Sequence, residues 1–430
     1  MIVEFSVGNF RSIKELQTIS FVKTGLKSPE EFSSVDKNNV VEKGGIQLLK
    51  TIGVYGANAS GKSNIIQAFE FFLQAIKNEA SSESNLSFLC DPYLYQEKAY
   101  NTDSFFQIVL LIQNKKYRYG FTVKRNPNLK ENTNDKNSKE IIVSEWLFGT
   151  KEKNIVEYYT RTGINVNKEK LPNSDKIPSL PYDHSLFLTH SAAFSRNGEC
   201  ASIRRYLVGY TLSNFTKGIE PFRFNTLYLI EQENKKEEFL KLLSSFNLNY
   251  SDIIIERDPN KPKEDILPRD KITMKKTFHS KNNEKIDVLL NLNNNESSGT
   301  QKLFDLAGLL LRAFKLKRSA FIIIDEVDSN FHPSLLIKLI ELFNNPSLNT
   351  SNTQLLFTSH DTNLMSPSIM RRDQFYFTEK NEDNSTRLYS LADLKGIRND
   401  ADFAKQYLAG FYGALPVLDN YFDENSLKNE

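Results

Sequence analysis

The stretch "GVYGANASGKSN" constrains this chain more than any other. It contains Gly56-Ala57-Asn58-Ala59-Ser60-Gly61-Lys62-Ser63, which satisfies every fixed position of G-x-x-x-x-G-K-S. The run before it, "LLKTIGVYG", is continuously apolar and predicts a buried strand. The run after it, "SNIIQAFEFFLQAIKN", has helical spacing. A strand, a glycine-bearing loop and a helix in that order aim backbone N–H groups at an anion on the helix N-terminus. Gly56 and Gly61 let the loop wrap, and Asn58, Ser60 and Asn64 lie in or beside it. Lys62 would bring a point charge to the β- and γ-phosphates of ATP, and the Ser63 hydroxyl a ligand to Mg²⁺. A chance glycine-rich turn is the alternative, and the flanking strand and helix weigh against it.

Two further apolar runs, "SAFIIIDEVD" and "NTQLLFTSHD", are typical of parallel core strands. The first ends on Asp325 and Glu326. Asp325 suits a second Mg²⁺-organising group, and Glu326 a general base on an attacking water. Asp328 reads as a surface or supporting carboxylate. His360 follows the second run, 34 residues after Glu326, where it could hydrogen-bond the γ-phosphate or the water. A structural histidine at a strand end is the commoner case, and His332 in "SNFHPS" is open to the same two readings. His184, His190 and His279 have no supporting context.

"NNNESSGTQKLF" begins at Asn293 and precedes an amphipathic stretch, "QKLFDLAGLLLRAFK". Ser297 or Ser298 could cap a helix there, with Gly299 easing the turn. The same hydroxyls and N–H groups could instead serve a phosphate on another molecule.

Around these motifs, "MIVEFSVGNF" alternates as a strand, and "DSFFQIVLLIQ" and "KKYRYGFTVKR" form a hairpin joined at Asn114. "IIVSEWLFG", "NIVEYYTRTG" and "IDVLLNL" are further strands, and Asn126 to Glu140 reads as a polar loop. The pattern is helical from about Ser185 to Leu248, then charged and irregular over 257–287. The expected fold is α/β. Residues 1–160 and 293–430 would build one P-loop lobe, a mixed sheet with helices, and 161–292 an inserted, largely helical subdomain with a charged linker. With 55 Lys+Arg against 53 Asp+Glu, the net charge of +2 demands no polyanionic partner. No run reaches the roughly 18 apolar residues of a membrane span, and the N-terminus lacks a basic segment followed by an apolar one. Cys90 and Cys200 have no metal-site spacing. These features predict a reduced, cytoplasmic protein. The abundant Asn reads as composition bias.

In this order the pieces resemble the ABC-type ATPases: phosphate loop, signature loop, Asp-Glu strand, D-loop and switch histidine. The resemblance makes "SSGTQ" a divergent signature loop, with Ser297, Ser298, Gly299 and Thr300 reaching the γ-phosphate held by an opposing subunit. Ser297 and Thr300 depart from the common L-S-G-G-Q, while Ser298 and Gly299 match it. "SNFHP" falls at the D-loop, with His332 in place of the usual Asp. The separation of 236 positions from Gly61 to Ser297 far exceeds the transporter spacing, and no sustained heptads fill it as in SMC-type proteins. The chain is more similar to the ABC-type AAA ATPases of bacterial phage-defence systems: the ATPase halves of OLD nucleases and stand-alone relatives such as AbiLi, RloA, PtuA and AriA. "VGNFRSI", "YRYGFTV", "EEFLKLLSSFNLNYSDIIIE", "SSGTQKLF", "DEVDSNFHP" and "YLAGFYGALP" look like this group's landmarks. The resemblance puts Phe10, Arg11 and Ser12 near the nucleotide, Arg11 binding it.

Only 70 residues follow His360, too few for the Toprim nuclease domain of OLD proteins beside the group's closing segment. The resemblance therefore implies a slow, dimer-dependent ATPase that senses infection and controls a separately encoded effector or toxin, pairing with itself on ATP and holding no membrane. A second reading is a RecF- or SMC-like DNA-binding repair ATPase. DNA would need a basic surface, for which Lys115, Lys116, Arg118, Lys124, Arg125, Lys275 and Lys276 are the candidates. The helical stretch and the aromatics Tyr407, Phe411, Tyr412, Tyr421 and Phe422 could dock an effector or merely pack the C-terminus onto the core.

Overall fold

A computed structural model describes residues 1–77, 90–97, 99–125, 140–151, 154–213, 220–256 and 271–416. Two sheets share one helix. The first sheet has six strands in the order Thr211–Ser213, Phe321–Ile324, Gln354–Thr358, Thr51–Gly56, Phe375–Lys380, Thr386–Ser390. Its first five strands pair in parallel and the last is antiparallel. The second sheet is antiparallel and seven-stranded, running from Asn165–Asn167 through the hairpin of Ser104–Ile112 and Lys115–Arg125 to Ile2–Gly8 and Gln17–Ser20. That hairpin turns at Gln113 and Asn114, both with positive φ, as a two-residue hairpin turn requires.

The shared helix, Lys62–Lys77, buries Ile65, Ile66, Ala68, Phe69, Phe71, Phe72, Ala75 and Ile76. That is too many for one apolar stripe, and the helix is covered on both sides. Phe69 stacks on Phe5 of the antiparallel sheet at 3.7 Å between centroids and packs against Phe321 of the parallel sheet at 5.6 Å. Phe72 stacks on Phe121 at 5.5 Å. Along Phe321–Ile324 the side chains alternate. Phe321 and Ile323 join the core around this helix, and Ile322 and Ile324 join a second core. The second core lies under helices Ser298–Phe314 and Pro333–Asn344. Cys90 and Cys200 are buried, free thiols.

Residues 161–292 depart from the expected helical insertion. Helices Phe187–Phe194, Glu199–Gly209, Glu220–Glu231 and Lys236–Ser245 are present. However, Thr211–Ser213 pairs with Phe321–Ile323 as an edge strand of the core sheet, and the boundary drawn at 160 falls inside strand Asn154–Thr162. Within the segment read as charged and irregular, Lys271–His279 is a strand, which pairs in an antiparallel sheet with Asp252–Glu256 and with Lys285–Asn291, the strand expected from "IDVLLNL". Its charges are cross-strand partners, Lys275 with Asp287 at 2.7 Å and Lys271 with Glu256 at 2.9 Å. Between them Ile272 and Met274 are buried. High charge density here marks the solvated face of a strand. Residues 257–270 and the polar loop read at 126–139 lie outside the described residues.

At the C-terminus, Tyr407 and Tyr412 pack on Phe377 at 5.4 and 5.7 Å, whereas Phe411 projects outward. Tyr421 and Phe422 lie outside the described residues. Among the described residues no helix is long and apolar enough to cross a membrane.

Because Phe69 contacts both sheets, Phe69→Ala should remove about 3–5 kcal/mol of stability, as Phe-to-Ala changes in dense cores do. Urea denaturation followed by circular dichroism measures this. A loss below about 1 kcal/mol would contradict the shared-helix packing.

Candidate nucleotide site

Strand Thr51–Gly56 ends at the loop, and helix Lys62–Lys77 begins inside it, so the loop sits at the C-terminal edge of the parallel sheet. Gly61 takes φ +110°, and a Cβ there would lie 2.1 Å from Thr386 Oγ1. Only glycine lets the loop pass under that strand. Thr386 Oγ1 donates to Ser60 O at 2.9 Å and shares a hydrogen bond with Ser12 Oγ at 2.7 Å. The buried Ser60 shares one with Thr378 at 2.6 Å. Lys62 Nζ donates to the carbonyls of Gly56 and Ala57 at 2.9 and 3.0 Å. Burial lowers the Lys62 ammonium below its ordinary value, while Asp325, Glu326 and Asp328 pull it upward. Those carboxylates therefore stand within electrostatic reach of the lysine.

A cavity of about 860 Å³ opens at this loop. Arg11, Asn58, Gly61, Lys62, Ser63, Asn64, Glu326 and His360 line it. Residues from the turn after the N-terminal strand, the phosphate loop and just past the ends of two other strands thus converge on one space large enough for a nucleotide. Ser12 also lines it, but Phe10 does not: it is fully buried against Phe71 and Phe106. Gly56 and Ser60 support the loop from behind, where Gly56 faces Thr378 and Ser60 Oγ.

Asp325 and Glu326 are organised by a residue that the motif reading passed over. The parallel register pairs Ile324 with Phe357, which sets Thr358 beside Asp325. Thr358 Oγ1 donates to Asp325 Oδ1 and accepts from Glu326 N at 2.7 Å. Val327 N donates to Thr358 O at 3.0 Å. Glu326 is held at φ +48°, a left-handed conformation uncommon for glutamate. His360 N donates to Asp328 Oδ2 at 3.1 Å, so the histidine's backbone is tied to the acidic turn.

Ser297–Thr300 do not line this cavity. Ser297 caps helix Ser298–Phe314, accepting from Thr300 N at 3.2 Å. A Cβ on Gly299 would sit 2.5 Å from Asn330 O, so the loop needs glycine to lie against the turn after Glu326. Lys302, one helical turn further, is buried. Its Nζ donates to the carbonyls of Glu326, Val327 and Ser329 at 3.2, 3.1 and 2.9 Å, and to Ser329 Oγ at 2.8 Å. It also lies 4.9 Å over the Phe331 ring. The spacing of an amphipathic helix gave no sign of this, since lysine there reads as solvent-facing. His332 proves to be the cap of helix Pro333–Asn344, its Nδ1 accepting from Ser334 N at 3.2 Å.

The basic residues weighed for DNA are largely engaged by acids or rings. Lys115 pairs with Glu199 at 3.1 Å, Lys275 with Asp287, Arg125 lies 4.7 Å over Tyr100 and Lys276 4.7 Å over Tyr250. Among the described residues no group of three or more His, Cys, Asp or Glu is arranged to hold a metal. Ser63 lines the cavity, whereas Asp325 does not and accepts from Thr358; both offer oxygen donors of the kind Mg²⁺ takes, since it characteristically uses one or two protein oxygens and completes its shell with phosphate and water.

Residues 52–366 match the protein family described as "AAA domain, putative AbiEii toxin, Type IV TA system". The chain belongs to this family. The matched span runs from the phosphate-loop strand past His360, so it contains the cavity's Lys62, Glu326 and His360 together. An AAA domain is a P-loop module that binds ATP, and the mixed parallel sheet described above accords with one. The family description adds a toxin–antitoxin context. No curated protein shows significant similarity to the chain.

Burial pushes the Lys302 ammonium down to about 8, from an ordinary 10.5. Between those limits the unfolded chain binds more protons than the folded one, so Lys302 makes stability rise with pH there. Lys302→Met keeps the stem and removes that contribution. The stability of the wild type relative to Lys302→Met should therefore increase between pH 8 and pH 10 in denaturant titrations. A pH-independent difference would contradict the buried environment of Lys302.

Proposed function

We propose that the chain is the ATP-hydrolysing regulatory subunit of an anti-phage, abortive-infection type of defence system, akin to the ATPase halves of OLD nucleases and to their stand-alone relatives. The family's AAA domain and toxin–antitoxin context support the ATPase and the defence setting. The observation that carries the finer reading is an incompleteness: Lys62, Ser63, Glu326 and His360 face one cavity, and Ser297–Thr300 of the same chain stay outside it. A second copy, face to face, supplies its Ser297–Thr300 loop to the γ-phosphate and completes each site.

In this reading the phosphate-loop amides and Lys62 hold the β- and γ-phosphates, and Arg11, Asn58 and Asn64 border them. The Ser63 hydroxyl and Asp325 would hold Mg²⁺, which would supply positive charge to offset that of the phosphates. Glu326 accepts a proton from water as that water's oxygen bonds to the γ-phosphorus. The bond to the β–γ bridging oxygen breaks, giving ADP and phosphate. His360 orients the water or the γ-phosphate. Thr358 holds Asp325 and Glu326 in place from the neighbouring strand. The nucleotide state biases the paired and unpaired forms, and a separately encoded effector binds one form better, which is the coupling any such switch needs.

Three experiments test this. Lys62→Ala should abolish ATP binding, and Glu326→Gln should bind ATP, lose turnover by at least about 100-fold, as loss of a general base does, and accumulate as a closed pair in mass photometry. Wild-type hydrolysis should rise faster than linearly with protein concentration in the dilute range. Linear hydrolysis by a monomer would refute the composite site. Co-expression with the neighbouring gene should yield a complex whose recovery depends on ATP. A neighbour that neither co-purifies nor changes toxicity when Lys62 or Glu326 is altered would remove the regulatory role.

A further inference from the structure

We propose that Tyr95, flanked by Leu94, is the platform on which the nucleobase of the bound nucleotide stacks. The proposal rests on the nucleotide reading above and assigns the end of the cavity distant in chemistry from the phosphate loop. Pro92, Leu94 and Tyr95 line the same cavity as Lys62 and Ser63. They supply an apolar and aromatic wall to a space whose other named side chains are mostly polar or charged. Tyr95 is 72% exposed and Leu94 50%, in a chain that buries most of its large apolar side chains.

Their exposure is not that of a loose loop, because the backbone carrying them is fastened on both sides. Arg11 N donates to Asp91 O at 2.8 Å, and Tyr93 N and Gln96 Nε2 donate to Asn9 Oδ1 at 3.1 and 3.0 Å. Tyr93 is fully buried, its hydroxyl donates to Asp383 O, and the Lys14 ammonium lies 5.8 Å from its ring centroid. Lys14 in turn pairs with Asp383 at 2.8 Å. The Tyr95 ring leans on that anchored ring, with 5.8 Å between centroids. A rigid backbone that presents an unshielded aromatic face to a nucleotide cavity is preorganised for a flat π-surface. The base of the nucleotide whose phosphates enter at Lys62 is that surface. Stacking of this kind accepts any base and strengthens binding without base-specific hydrogen bonds.

Isothermal titration of the full chain with Mg-ATP and with Mg-tripolyphosphate separates base from phosphate binding. Wild type should bind ATP more tightly than tripolyphosphate. Tyr95→Ala should weaken ATP binding about ten-fold, in line with base–aromatic stacking, and leave tripolyphosphate binding and the melting temperature unchanged. Tyr95→Phe should restore ATP affinity. Unchanged ATP affinity in Tyr95→Ala, or an equal loss for both ligands, would overturn the platform. So would a loss of self-association at unchanged ATP affinity, which would make Tyr95 a subunit contact. ATP binding abolished by Lys62→Ala yet untouched by Tyr95→Ala would leave the proposed function standing and remove this inference alone.

Discussion

Everything at the cavity depends on burying helix Lys62–Lys77 between two sheets. A helix exposed on one side can rotate or slide at modest cost, whereas one gripped by Phe5 and Phe121 on one side and Phe321 on the other cannot without opening both packings. Its N-terminus is thereby fixed against strand Thr51–Gly56, and the loop between them closes under Thr386. The antiparallel sheet therefore contributes to the site without lining most of it. It holds the helix whose first turn presents Lys62 and Ser63.

The acidic side of the cavity is positioned differently, by register. Parallel pairing of Phe321–Ile324 with Gln354–Thr358 leaves no freedom in which residue stands beside Asp325. Thr358 occupies that place, and its one hydroxyl joins the Asp325 carboxylate to the Glu326 backbone N–H. On the outer face of the same strand end, Lys302 and Gly299 tie the helix Ser298–Phe314 to the turn after Glu326. The helix that opens at the signature-like segment and the turn that carries the candidate base are therefore joined by the hydrogen bonds of Lys302 within a single chain.

Much of this was legible in sequence. The phosphate loop declared itself because its chemistry needs contiguous residues, and Asp325, Glu326 and His360 because they end strongly apolar runs. Thr358 and Lys302 were not legible. Their roles arise from neighbours 33 and 24 residues away, and a threonine in a strand or a lysine on a helix is unremarkable by itself. The strand Lys271–His279 was missed because many of its outward positions carry charges paired across strands, whereas its neighbour Lys285–Asn291 was legible in "IDVLLNL". The abundance of asparagine, read as mere composition, has a conformational use: nine of the fourteen non-glycine residues at positive φ among the described residues are Asn. Asparagine tolerates that region better than other residues with a side chain.

The other five are Arg11, Ala59, Gln113, Glu326 and Ala414. Arg11, Ala59 and Glu326 all line the nucleotide cavity. Each such residue costs about 1–2 kcal/mol relative to an ordinary backbone conformation. Together these three offset a substantial part of the roughly 5–15 kcal/mol that keeps a domain folded. Among the described residues, three of the five strained positions not filled by asparagine thus fall at the candidate nucleotide cavity, and asparagine could have relieved the strain at any of them. Asparagine would, however, bring no proton acceptor to position 326 and no guanidinium to position 11. The site is the least comfortable part of the backbone, and the two packed cores hold it in that posture.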